Sequence, residues 1–103
     1  MDDVLELIGA EKKQDEAGRW REEPLPRLVY CQTHDITRQE FYEAGRDGLN
    51  PDMMVTVFAG DYMGERTCAY KGKGYAIYRT YKRPNDDYIE LYLQREGGTN
   101  GVV

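Results

Sequence analysis

Cations, histidine, cysteine and long apolar runs are all in short supply in this chain, and each shortage closes a class of function. Its 14 Lys and Arg are outnumbered by 19 Asp and Glu, giving a net charge of −5. Tight wrapping of nucleic acid draws on a surplus of cations to neutralise phosphates, so direct DNA binding is disfavoured. An acidic body can still surround DNA without holding it, because like charge keeps a polyanion sliding. His34 is the single histidine, and Cys31 and Cys68 are the only cysteines. A structural zinc site draws four Cys/His ligands, which Cys31 and His34 cannot supply, and no metal or cofactor is expected. Two cysteines without a recognisable signal peptide read as reduced core thiols. No run approaches the ~20 apolar residues of a membrane span. The expectation is a soluble chain made in a cytoplasm, with no membrane partner.

Catalytic patterns are equally sparse. His34-Asp35 is a neighbouring acid–base pair, but sequence neighbours seldom aim at one atom and catalysis needs a positioned third group. Asp2-Asp3 and Asp86-Asp87 lack the spaced oxygen ligands and glycine of a calcium loop. Lys71-Gly72-Lys73-Gly74 lacks the spacing and following helix of a phosphate loop and reads as a hairpin turn. The chain is not expected to be an enzyme.

What is present is mostly β patterning. At 103 residues, with 40% apolar and 32% charged, this is one small domain burying roughly 60–65% of its unfolded surface. Nine tyrosines stand against two phenylalanines. Tyrosine, with its apolar body and polar tip, suits surfaces that become interfaces, or the wet edges of a small β core. Val4-Leu5-Glu6-Leu7-Ile8 reads as a strand, with a short helix as the alternative. Asp15-Glu16-Ala17-Gly18 signals a turn, and Trp20 among charges an edge strand. Pro24 and Pro26 around Leu25 exclude a central strand there, and residues 27–32 form the next strand. Met53, Val55 and Val57 share one face of a strand. Residues 66–70 pair with 75–81 across the Lys71–Gly74 turn, Pro84-Asn85-Asp86-Asp87 turns again, and Ile89, Leu91 and Leu93 point inward. The expectation is a mainly β, small single-domain barrel or sandwich of about six short strands spanning residues 4–95. A flexible C-terminal tail, 96–103, follows it.

One segment departs from this pattern. Thr37-Arg38-Gln39-Glu40-Phe41-Tyr42-Glu43-Ala44 is a short inserted helix. Thr37-x-x-Glu40 forms a capping box, hydroxyl and carboxylate each serving an orphan N–H. Gly45 or Gly48 supplies the left-handed end, and Pro51 prevents continuation after Leu49 and Asn50. A helix of roughly 8–10 residues cannot stand alone in water. It must dock through Phe41 on the sheet or on a neighbouring subunit. The basic residues Lys71, Lys73, Arg79, Lys82 and Arg83 interleave with Tyr70, Tyr75, Tyr78 and Tyr81. Such a set can stack and neutralise single strands, but cross-strand Lys/Tyr packing accounts for it more simply.

In order along the chain, Val4-Leu5-Glu6-Leu7-Ile8, Asp15-Glu16-Ala17-Gly18, Arg38-Gln39-Glu40-Phe41-Tyr42-Glu43-Ala44 and Gly48-Leu49-Asn50-Pro51-Asp52 form a recognisable series. It is completed by residues 70–81, with Arg79-Thr80-Tyr81, and by Tyr88-Ile89-Glu90-Leu91. Over residues 4–93 this series resembles the head-closure proteins of tailed bacteriophages, also called head–tail joining or stopper proteins. The resemblance implies a structural virion protein of the phage neck, made and assembled in the host bacterial cytoplasm and encoded by a free phage or a prophage. It implies a homo-oligomeric ring in the head–tail connector, with portal and adaptor proteins on the head side and tail proteins on the other. The ring would close the channel after packaging, encircle DNA without specific binding and offer the tail a docking surface. The family's moving insert falls by position on residues 37–50. Its gate and subunit-interface residues would be Thr37, Arg38, Gln39, Glu40, Phe41, Tyr42, Glu43, Gly48, Leu49 and Asn50. Leu28, Val29 and Tyr30 would add edge-strand contacts that extend sheets between subunits. The alternatives are a tail-completion or tail-terminator protein at the same joint, and a nucleic-acid-binding β-barrel.

Overall fold

A computed structural model describes residues 3–96; the tail beyond them, and Asp2, lie outside the described residues. Six antiparallel strands close into one barrel in the order β1-β2-β3-β6-β5-β4. They are β1 (Asp3–Gln14), β2 (Trp20–His34), β3 (Pro51–Phe58), β4 (Thr67–Tyr70), β5 (Lys73–Tyr81) and β6 (Tyr88–Arg95). The single α-helix among the described residues, α1 (Arg38–Arg46), links β2 to β3. Leu5, Leu7, Val29, Cys31, Val55, Val57, Cys68, Tyr75, Leu91 and Leu93 fill the interior. Each fully buried aliphatic side chain contributes about 1.5–3 kcal/mol, and together they leave no lumen. Both cysteines are free, buried thiols on the two strands flanking β1, as the scarcity of cysteine led us to expect.

Not all the strands are short. β1 has 12 residues and β2 has 15, because the turn begins only at Asp15, whose carboxylate accepts from the N–H groups of Ala17 and Arg19. The two pair without a break from Asp3↔Cys31 to Gln14↔Trp20. Only the first part of this hairpin belongs to the barrel. β4 pairs with Glu6, Leu7 and Ile8, and β3 with Cys31 to His34. The remaining six pairs project as a two-stranded ribbon of about 20 Å, which stretches the molecule to 51 Å in its longest dimension.

Pairing with β1 continues through Pro24 and Pro26, which have no N–H to give it. Both therefore turn their missing donor away from β1, to the side where residues 20–30 have no strand partner among the described residues. The prolines fit an edge, as expected, but they also block sheet extension along that stretch.

The β4–β5 turn is tighter than the four residues proposed for it. Tyr70 pairs with Lys73, and Lys71 and Gly72 both take positive φ, the geometry of a two-residue hairpin turn. Lys73 and Gly74 belong to β5. At the far end, Glu65 is buried and anchors the loop after β3. Its carboxylate accepts from Arg27 Nε (3.2 Å) and from an Arg27 terminal nitrogen (2.6 Å), and from the Met63 N–H at 2.9 Å.

Candidate functional site

α1 forms where its local signals place it. Thr37 is the N-cap, its hydroxyl accepting from the Glu40 N–H at 3.1 Å, and Gly48 takes the left-handed conformation at φ +81°. The capping box is only half made. The Glu40 carboxylate does not return to the cap; it leaves the helix for the barrel, accepting from the Tyr78 hydroxyl at 2.8 Å and from the Arg79 guanidinium. Arg79 in turn lies 3.9 Å over the ring of Tyr92, whose hydroxyl donates to Glu90 at 2.7 Å. A carboxylate, a guanidinium and two phenols thus form one continuous cluster, of the kind that fixes geometry when every member is satisfied.

The electrostatics follow from burial and from these carboxylates. Desolvation and the bond to Glu40 both push the Tyr78 phenol up, since its ionised form would be half-buried beside a carboxylate. Tyr92 is raised to about 12 by burial and then by Glu90. Both phenols stay protonated donors at neutral pH. The cluster is a mechanical latch rather than a titrating pair.

Of the two ways the helix could dock through Phe41, the one onto its own sheet is not used. The side turned to the barrel carries Glu40 and the buried Ala44, one turn apart. Phe41 and Tyr42 are 49% and 64% exposed and touch edge to face at 6.1 Å. A small residue and a carboxylate, rather than a phenyl ring, are what the helix turns to the sheet. Arg38 is exposed, Gln39 donates to Glu43 at 3.0 Å, and the Asn50 N–H bonds Gln94. Leu49 is half-buried and closes the helix through its N–H to the Ala44 carbonyl. A cleft of about 170 Å³ separates the helix from Met54 and Tyr92.

Of the three β2 residues assigned to contacts, Leu28 and Tyr30 are exposed at 72% and 68%, but Val29 is buried in the core. Strand alternation sends it inward, so its role is packing.

Tyr78 and Arg79 were legible as part of a basic–aromatic set but not as the helix's seat, and Tyr92 was not singled out at all, because register decides which residues meet Glu40 and Arg79. With Arg79 engaged, the other cations do not form one surface. Lys71 and Lys73 sit at one end of β5, Lys82 and Arg83 just beyond its other end. Among the described residues no three His, Cys, Asp or Glu side chains gather to hold a metal ion, and no helix is long and apolar enough to cross a membrane. The chain matches no family model and no curated protein.

Proposed function

We propose that this protein is a structural component of a tailed-phage neck, forming a ring in the head–tail connector that closes the DNA channel after packaging and receives the tail. The observation that carries this reading is an insert outside a self-sufficient barrel. α1 completes none of the interior beyond Ala44 and exposes two aromatic rings, a poor use of apolar area unless another polypeptide covers it. The sequence resemblance across residues 4–93 supplies the biological setting. A barrel packed solid with side chains has no passage for DNA, so the channel lies between copies. A net charge of −5 suits a surface past which DNA must move. The ring meets portal and adaptor proteins on the head side and tail proteins on the other.

The test is deletion of residues 38–48. The barrel remains folded, with its β-sheet circular dichroism intact, while particle assembly stops after DNA packaging and heads lose their genome. A variant that unfolds outright makes the segment part of the core and removes the reading.

A further inference from the structure

The outward face of the β1–β2 hairpin is apolar where the outside of a barrel should be polar. Cross-strand partners on this face are Val4↔Tyr30, Glu6↔Leu28 and Ile8↔Pro26, all alternating with the buried Leu5, Leu7 and Val29. Val4, Leu28 and Tyr30 are 47%, 72% and 68% exposed. The strip carries Glu6, which forms no ion pair among the described residues. Among the described residues, Val4, Leu28 and Tyr30 stay exposed, while Glu6 and Ile8 between them are half-buried.

A second uncovered patch sits on α1. Arg38, Phe41, Tyr42 and Arg46 recur at the spacing of one helical face, away from Glu40 and Ala44, and all four are exposed. Neither arginine forms an ion pair among the described residues. The latch ties this helix to β5 and to Tyr92 of β6, and its backbone lies nearest β3. In the closed order β1-β2-β3-β6-β5-β4, the pair β6 and β5 lies opposite β1 and β2.

We propose that α1 of one copy seats on the β1–β2 face of the next, Phe41 and Tyr42 packing against Leu28 and Tyr30 while Arg38 and Arg46 face Glu6. The two patches differ, are complementary in charge, and lie on opposite sides of one molecule. Contacts of this heterologous kind pass from copy to copy and close into rings when the rotation allows. The helix patch offers roughly 400 Å², so one contact buries about 800 Å², the range of weak encounters. Copies held on a common platform gain the rest through effective concentration. This contact rests on the ring reading above and specifies its subunit interface.

Disulfide capture tests it in the full chain. Leu28→Cys and Tyr42→Cys are placed singly and together; the native thiols are buried and contribute no background. Under mild oxidation at high protein concentration, the double variant gives a ladder of dimers, trimers and longer products on a denaturing gel. The two single variants mixed together give only a dimer, and each alone stays monomeric. In the double-cysteine background, Arg46→Glu or Glu6→Arg alone loses the ladder, and the two together regain it. Efficient self-capture by Leu28→Cys alone would mean a two-fold pairing of hairpin faces and overturn the proposal. A double variant that remains monomeric overturns it too. A ladder from a protein whose 38–48 deletion leaves phage production unchanged keeps the contact but removes the neck reading. A block in assembly without a ladder does the reverse.

Discussion

Glu40→Ala removes the acceptor shared by Tyr78 and Arg79 and isolates the cost of releasing the helix. The Glu40 side chain is 12% exposed, so its hydrogen bond from the Tyr78 hydroxyl is worth about 1.5–3 kcal/mol, the range for a charged partner. The pair with Arg79 adds less, because Arg79 is 44% exposed and water screens it; about 0.5 kcal/mol is a fair share. A loss of about 2 kcal/mol corresponds to a roughly 30-fold shift in the docking equilibrium. That loss falls on docking rather than on the whole fold, since a nine-residue helix has no stability of its own in water and the barrel closes without it. Native-state hydrogen exchange measures it directly. Amides of α1 exchange about 30-fold faster, while those of Val55, Val57 and Leu91 keep their wild-type protection. Glu40→Gln keeps a neutral acceptor for Tyr78 and gives an intermediate rate. Barrel amides that accelerate by the same factor as the helix would refute the reasoning, because the helix would then be integral to global stability. Unchanged exchange in α1 would show that the latch does not hold it.

Two further predictions concern the barrel. Burial by itself would raise the Glu65 carboxyl, but the hydrogen bonds from Arg27 and the Met63 N–H outweigh it and hold the group below its ordinary value. The unfolded chain therefore binds this proton at higher pH than the folded one, so Glu65 stabilises at and above neutral pH and loses its effect as pH falls through the folded value. Glu65→Gln should cost about 1–3 kcal/mol at neutral pH, with the gap to wild type in urea titrations narrowing on acidification; a gap independent of pH would contradict this. Burial, then Asp3, pushes the Cys31 thiol up to about 11, and burial, then Cys31 and Glu96, pushes Cys68 to about 12. Both should resist a chromogenic disulfide reagent in the native protein and react fully in denaturant, since only the thiolate attacks; rapid labelling of either native thiol would place it outside the core.

Much of the framework was readable from residue order. Alternation of Val55 and Val57, and of Leu91 and Leu93, identifies core strands because a strand has only two faces. Thr37 and Gly48 mark the helix ends because a hydroxyl at the start and a residue free to take positive φ at the end meet needs within one turn. The destination of Glu40 was not readable. Its local partner, the cap N–H, lies three residues away, and its actual partners lie 38 and 39 residues away, on a strand whose register shifts between Ile77 and Arg79. A shift of one residue exchanges the faces of everything beyond it.

What the sequence by itself determined, then, is the set of short-range choices: a mainly β chain of about six strands, most of their turns and one capped helix. These depend on chemistry within a few residues of each position. Only the tertiary structure decided that β1 and β2 run on as a ribbon and that Glu40 latches the helix by its small face. It alone left Phe41, Tyr42, Leu28 and Tyr30 uncovered on opposite sides of the barrel. Such outcomes depend on which distant strands become neighbours, and closure of the barrel settles that for the whole chain at once.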